Sequence, residues 1–341
     1  MQIFGLRKGN DIAIDLGNSN TVLANIDRSL SHPSLVVLSK KDNTLKAVGT
    51  QAFEMLGKVQ ENLKVVKPMK EGLIADFNST KEMLKAMVAL SYPKSNILSG
   101  IDHLVAGVPF ASNEVERRAL RDALEQFKAS KTFLIYEPIA AALGIGLDIT
   151  EPDGKFVVDI GGGITEAVVI SLSGIVNHQA IRVAGERFDE DILLHIKKEY
   201  NIDIGSNMAE QVKIRVGAAT GQLDDPPPPF DLVGKDCLNG IPKRITLDHG
   251  EIAHVLDRSV LQIEQAIIQA LEDCPPELAG DIYANGIHLT GGGSLLRGLK
   301  ERIVEKLRIP VHQDAEALCS VARGMMRVLR EPGQFQTVLF K

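Results

Sequence analysis

Cysteine is scarce in this sequence: Cys237, Cys274 and Cys319 are the only three in 341 residues, and no two form a CxxC pair. That argues against a disulfide framework or a cysteine-based zinc site and fits a reducing compartment. Basic residues are not in excess either, with 38 Lys and Arg against 44 Asp and Glu and a net charge of −6. A chain that lives on phosphate contacts along DNA carries the opposite imbalance, so no nucleic-acid partner is expected. No apolar run approaches the roughly 18 residues of a spanning helix. The first eight residues, Met1-Gln-Ile-Phe-Gly-Leu-Arg-Lys8, lack the apolar core and small-residue cleavage site of a secretory signal. A cytoplasmic protein is expected, with any membrane contact peripheral.

The common phosphate and metal motifs are missing as well. Gly-Lys occurs at Gly57-Lys58, Gly154-Lys155 and Gly234-Lys235, never with the spaced glycine and following Ser or Thr of a P-loop. No G-x-G-x-x-G opens a helix after a strand, so a nicotinamide dehydrogenase has no fingerprint here. His249 and His254 lie five apart without an HExxH, which gives no metal pair.

What is present is the composition of a folded protein, 44% hydrophobic and 24% charged, and a length that suggests two domains at about 150 residues each. Short β-rich runs alternate with longer helical ones, the pattern of an α/β architecture. Ile12–Asp15, Val22–Ile26, Leu104–Val108 and Phe133–Ile135 read as strands, and Asn78–Leu90 and Ile139–Gly146 as helices. Asn113–Phe127 reads as a charged amphipathic helix with Asn113 as N-cap and Glu114 and Glu116 in its first turn. In the second half, Phe156–Asp159, Glu166–Ser171 and Gly286–Leu289 are strands. Helices are expected at 186–200 and 207–220, over Glu251–Leu271, and from the glycines at 291–293 to Leu307. Asp224-Asp-Pro-Pro-Pro-Pro-Phe230 must be an exposed connector, because four prolines remove four backbone donors and favour extended chain.

The most informative feature is an internal echo. Asp15-Leu-Gly-Asn-Ser-Asn-Thr21 and Asp159-Ile-Gly-Gly-Gly-Ile-Thr165 share D-[LI]-G-x-x-x-T, each between two apolar strands. One D-x-G is ordinary turn chemistry; two in matching settings suggest two similar halves facing a cleft. Glycine-rich hairpins let backbone N–H groups approach phosphate oxygens with no Cβ in the way. Asn18, Ser19, Asn20 and Thr21 add side-chain donors to the first turn, and Gly161, Gly162 and Gly163 supply bare backbone in the second. Asp15 and Asp159 are expected to hold a hydrated Mg2+ touching the β- and γ-phosphates, since like charges brought close need a cation. Thr290-Gly-Gly-Gly-Ser-Leu-Leu296 is a third glycine cluster, placed to add a helix N-terminus and complete a nucleotide pocket.

These three turns are similar to those of the actin, sugar-kinase and heat-shock-chaperone superfamily, and within it the chain resembles the MreB family of bacterial actins from Asp11 to about Leu329. The resemblance runs through Lys67-Pro-Met-Lys-Glu-Gly-Leu-Ile-Ala-Asp-Phe77, Gly107-Val-Pro109 with Val115-Glu-Arg-Arg-Ala119, and Glu137-Pro-Ile-Ala-Ala-Ala142. It continues through Val158-Asp-Ile-Gly-Gly-Gly163, Ile181-Arg-Val-Ala-Gly185, Pro275-Pro-Glu-Leu-Ala279 and Leu289-Thr-Gly-Gly-Gly-Ser-Leu-Leu-Arg-Gly298. It implies an actin-like fold of two α/β halves with ribonuclease H-like cores and four subdomains. The first half is expected at 1–147 with 315–341, its small subdomain at about 32–66. The second is expected at 148–314, its small subdomain at about 181–246.

The resemblance also implies an ATP site in which Gly185, Glu186, Glu210 and Lys213 border the nucleotide and Gly291, Gly292, Gly293, Ser294 and Leu295 close it. Glu137 matches the carboxylate that orients the attacking water, with Thr165 beside it. The implied function is slow ATP hydrolysis coupled to filaments, paired in the family's manner, that organise wall synthesis and rod shape at the inner face of the cell membrane. Its partners would be further copies of the chain, an anionic membrane surface and membrane proteins of the elongation machinery. Ile3, Phe4 and Leu6 beside Arg7 and Lys8 resemble the family's membrane-binding ends, and Ile97 and Leu98 offer a second apolar contact. The helix carrying Val115, Arg118 and Asp122 corresponds to the lateral protofilament contact. Three departures stand out: Asn18 and Ser19 replace the usual Thr and Ala, Tyr136 stands where an acid commonly precedes the glutamate, and the proline run at 226–229 is unlike the usual sequence of the second small subdomain. Rival readings are a plasmid- or organelle-positioning filament, a small-molecule kinase for which no substrate-activating acid is assignable, and a chaperone whose peptide-binding domain has no counterpart here.

Overall fold

Each echo motif is the turn of a hairpin whose strands are apolar on both faces. The computed structural model describes residues 11–25, 27–92 and 100–340. The expected membrane contacts Ile3, Phe4, Leu6, Ile97 and Leu98 lie outside these residues. Among the described residues the chain forms two compact units. One runs to Glu151, takes in Leu172–Gly174 and resumes at Cys319; the other comprises Pro152–Ser171 and Ile175–Leu318.

The first unit begins with β1 (Ile12–Leu16), β2 (Asn20–Ala24), β3 (Ser29–Pro33), β4 (Val36–Ser39), β5 (Leu45–Val48) and the short α1 (Thr50–Glu54). It continues with β6 (Leu63–Val66), β7 (Met69–Lys70), β8 (Leu73–Ile74), α2 (Phe77–Ser91), β9 (His103–Val108), α3 (Glu114–Leu124), β10 (Lys131–Tyr136) and α4 (Glu137–Gly144). Its main sheet has the order β10-β9-β1-β2-β3, with β1 antiparallel to β2 and parallel to β9. β4, β5 and β6 form a separate small sheet. Helix α2 covers the main sheet because Met83, Leu84, Met87 and Val88 fall on one face and are buried, each contributing about 1.5–3 kcal/mol. Its N-cap Asp76 accepts from the Ser79 N–H at 3.0 Å.

The second unit contains β11 (Lys155–Ile160), β12 (Thr165–Ser171), β13 (Gly174–Ile181), α5 (Gly185–Tyr200), β14 (Ile202–Asp203), α6 (Ser206–Val216), β15 (Phe230–Asp236) and β16 (Pro242–Leu247). Then come α7 (His249–Glu272), α8 (Pro276–Asn285), β17 (Ile287–Thr290), α9 (Leu299–Leu307) and β18 (Val311–Gln313), and α10 (Ser320–Arg330) returns to the first unit. Its main sheet has the order β13-β12-β11-β17-β18. Read outward from the hairpin, this is the arrangement of the first unit: three strands in sequence, then two parallel ones. Both units thus carry the 3-2-1-4-5 order of a ribonuclease H-like core, and the internal echo is a structural repeat. Phe156, Val158, Phe188, Ile192, Ile263 and Leu289 are among the residues of the second core, all fully buried.

Several boundaries differ from expectation, each for a local reason. The Asn113 helix forms with a full capping box, Glu116 N–H to Asn113 at 3.0 Å and Asn113 N–H to Glu116 at 2.7 Å. It ends at Leu124 and tightens into a 3-10 turn over Glu125–Phe127, closed by Lys128 in a left-handed conformation. Helix α4 starts two residues earlier than its apolar pattern, at Glu137, because Pro138 suits the first turn. Helix α6 stops at Val216, not 220: Gly217 turns the chain out, and Ala218 bridges to Arg297. The third glycine cluster does not open a helix. Gly292–Leu295 is a 3-10 turn, and α9 begins only at Leu299 after Gly298 at φ +72°.

Candidate functional site

The first turn is built by its own backbone. A Cβ on Gly17 would meet the Asn20 carbonyl oxygen at 2.6 Å, so only glycine closes this hairpin. The Ser34 hydroxyl donates to the Gly17 carbonyl at 2.6 Å and shares a 2.9 Å hydrogen bond with Thr21, while the Ser34 N–H donates to the Ser19 carbonyl. Thr21 is fully buried and serves the turn rather than its surface. Asn18 is also buried; its Oδ1 accepts from the Gly72 N–H at 2.7 Å, which ties the turn to the β7–β8 hairpin. Ser19, Asn20 and Asp15 remain partly open.

In the second unit the turn after β11 meets the third glycine cluster backbone to backbone. Side chains on Gly291 or Gly293 would collide with Ile160, and one on Gly291 with the Asp159 carboxylate as well. Gly291 also holds φ +78°. The carbonyls of Gly161 and Gly162 accept from the N–H groups of Gly185 and Glu186 at 3.1 and 2.8 Å, fastening the turn to the start of α5. Lys213 on α6 donates to the Gly185 carbonyl at 3.0 Å and pairs with Asp189 at 2.9 Å. The structure therefore brings Asp159, Gly161–Gly163, Gly185, Glu186, Lys213 and Gly291–Gly293 together. Glu210 lies on α6 one turn before Lys213. Ser294 is buried and donates to the Gly291 carbonyl at 2.7 Å, whereas Leu295 is exposed. The Thr165 hydroxyl is buried and donates to the Val183 carbonyl at 2.7 Å.

Asp159 accepts from the Thr290 hydroxyl at 3.0 Å. Burial pushes its carboxyl up to about 6, against the lowering effect of that hydrogen bond. A desolvated carboxylate of this kind is stabilised in its charged form by a nearby cation. Among the described residues no cluster of three or more His, Cys, Asp or Glu forms a metal cage. A site with one or two carboxylates suits Mg2+, which keeps waters and takes phosphate oxygens, so the donor set fits that ion.

Glu137 is the first residue of α4, and its side-chain stem lies against Gly107 of β9. A Cβ on Gly107 would lie 3.1 Å from Glu137 Cγ. Glu137 also lines a pocket of about 20 Å³, shared with Leu16, Met69, Gly72, Gly107 and Pro109. That is room for about one water molecule. Ser34, Gly72, Gly107, Asp189 and Thr290 were not among the expected site residues. Gly72, in Lys67–Phe77, Gly107, in Gly-Val-Pro, and Thr290, at the head of the glycine cluster, sit in motifs that could have revealed them; Ser34 and Asp189 do not.

The repeated core and glycine turns define an actin-like fold. The profile of the MreB/Mbl protein family matches residues 9–337. The cell shape-determining protein MreB of Escherichia coli (strain K12) is 40% identical over 321 residues, 92% of each chain. The cell shape-determining protein Mbl of Bacillus subtilis (strain 168) is 39% identical over 316 residues, 92% of this chain and 94% of that one. A crystal structure of MreB5 of Spiroplasma citri bound to AMPPNP superposes with a TM-score of 0.90 at 32% identity, over 96% of this chain and 98% of that one. The chain belongs to the MreB/Mbl family.

Proposed function

We propose that this protein binds and slowly hydrolyses ATP with Mg2+ and assembles into membrane-associated filaments that organise wall synthesis and maintain cell shape. The observation that carries the reading is the backbone stacking of Gly291 and Gly293 on Asp159–Gly161, which leaves a side-chain-free surface beside the Asp159 carboxylate. The likeness to an AMPPNP-bound relative over nearly the whole chain supports the same reading. The turns after β1 and β11 bind phosphate oxygens through N–H groups and through Ser19 and Asn20. Asp15 and Asp159 are the residues that would hold Mg2+, which would supply charge neutralisation for the phosphates.

Glu137 accepts a hydrogen bond from the attacking water and holds it in line, the geometric task that dominates phosphoryl transfer. Glu186, Glu210 and Lys213 border the nucleoside, and Gly291–Leu295 cover it. Exposed Val115 on α3, with the Arg118–Asp122 pair at 3.9 Å, serves as the lateral contact between filament strands. The apolar residues Ile3, Phe4, Leu6, Ile97 and Leu98 anchor the filament to anionic lipid. Each contact is weak alone and multiplied along the polymer.

High-speed sedimentation with Mg-ATP, Mg-ADP and no nucleotide, with and without anionic liposomes, tests this, with pellets imaged by electron microscopy. ATP-favoured filaments that bind liposomes, and lose them when residues 1–8 are removed, are the expected result. A protein that binds ATP and stays monomeric at every concentration would sink the filament reading, and phosphate transfer to sugars would then be assayed.

A further inference from the structure

Tyr136 closes β10 and is the N-cap residue of α4, so it immediately precedes Glu137. Its ring is edge-on to Phe110 at 4.8 Å and tilted against Phe340 at 4.7 Å. Phe340 is held there by its backbone: the Leu134 N–H donates to the Phe340 carbonyl at 2.8 Å, and the Phe340 N–H to the Leu134 carbonyl at 3.0 Å. Residue 340 thus extends the main sheet by one antiparallel bridge at the β10 edge. The segment leading to it is anchored by buried Phe335, which stacks under the Arg327 guanidinium at 5.3 Å, and by buried Val338.

The N-cap residue of α4 makes no side-chain cap hydrogen bond, an arrangement that ordinarily leaves the first turn of a helix prone to fraying. Glu137 is in that first turn. Packing helps to hold the turn: Gly107 lies against Glu137 Cγ, and the two phenylalanine rings lie on Tyr136. Aromatic pairs of this geometry contribute beyond their buried area, and they fix ring direction as well as position.

We propose that Tyr136 and Phe340 are positioning residues for Glu137, a clamp in which the chain after α10 orients the carboxylate that aligns water. The inference rests on the assignment of Glu137 as that carboxylate. Removing the Phe340 ring frees Tyr136 on one side, lets the first turn of α4 shift, and misaligns the carboxylate. Nucleotide binding, which uses the glycine turns, is left intact.

The test is ATP turnover and nucleotide affinity of the full chain carrying Phe340→Ala, Phe340→Tyr, Glu137→Gln, and Phe340→Ala with Glu137→Gln. Phe340→Ala should lower kcat about tenfold, the scale on which sub-ångström misplacement acts. Nucleotide Kd should be unchanged, Phe340→Tyr should restore kcat, and Phe340→Ala should add nothing once Glu137 is Gln. Unchanged kcat in Phe340→Ala, equal losses of affinity and turnover, or a further tenfold loss on the Glu137→Gln background would each overturn the proposal. If Phe340→Ala does not fold, Phe110→Leu removes the opposite ring while keeping the backbone bridge, and the same pattern is required of it. Normal turnover in Glu137→Gln would instead show that the glutamate assignment is wrong, and the clamp would fall with it.

Discussion

At the scale of single residues, the contacts that matter join positions far apart in sequence. Gly107 and Glu137 are one such pair. Gly107→Ala places a methyl 3.1 Å from Glu137 Cγ and 3.4 Å from Val321 Cγ1, so one neighbour must give by a few tenths of an ångström. ATP turnover should fall about tenfold with nucleotide affinity retained, measured by steady-state phosphate release and by fluorescent-nucleotide titration. A second residue-scale prediction concerns His288, stacked on His312 at 5.0 Å. Burial first, and then the neighbouring His312, hold its imidazole down to about 4. The unfolded chain has the ordinary value near 6.5, so between these values it binds a proton that the native protein does not. This contribution to stability is therefore complete above about pH 6.5 and is lost as pH falls toward 4. Urea midpoints at pH 5 and 7.5 for wild type and His288→Gln measure it, since other titrating groups cancel in the comparison. The wild type should lose more stability on acidification than the variant.

At the scale of elements, helices α4 and α10 cross where neither has a side chain. A Cβ on Gly324 would fall inside the Ala140 carbonyl, and one on Gly144 inside that of Ser320. Backbone cannot retreat as a side-chain tip does, so Gly324→Ala should cost about 3 kcal/mol or more, and thermal melting should show it as a large drop in Tm. This crossing was not legible in the sequence, because it joins segments about 180 residues apart and each glycine alone reads as an ordinary helix interruption. The same limit hid Ser34 beneath Gly17 and Gly72 beneath Asn18. What was legible is local: the two D-x-G hairpins, the Asn113 N-cap and the helix read over Asn78–Leu90 follow from periodicity and cap chemistry within a few residues, while its cap Asp76 was not read. The glycine cluster at 291–293 was found, but its conformation was misread. Three glycines before an apolar run suggest a helix start, whereas the left-handed Gly298 decides where α9 begins. The backbone donors there are those of a 3-10 turn, without the aligned dipole of a long helix.

At the scale of the whole molecule, the proposed function couples one carboxylate to the lifetime of a polymer. Under that proposal filament assembly would need bound ATP and loss of the γ-phosphate would weaken the state that polymerises, so hydrolysis would act as a timer and not as the source of assembly. Glu137→Gln keeps the volume and hydrogen-bonding reach of the side chain but removes its charge. If Glu137 aligns the water by accepting its proton in a hydrogen bond, phosphate release should slow by about a hundredfold, the usual effect of losing one oriented group at a phosphoryl or acyl centre. Assembly with Mg-ATP should proceed, because the phosphate turns are untouched. Light scattering should therefore rise as in the wild type and then stay on a plateau, while the wild-type signal decays as ATP is consumed. Parallel decay in both proteins would separate filament lifetime from hydrolysis. A variant that neither assembles nor binds nucleotide would place Glu137 in the architecture of α4 rather than in its chemistry.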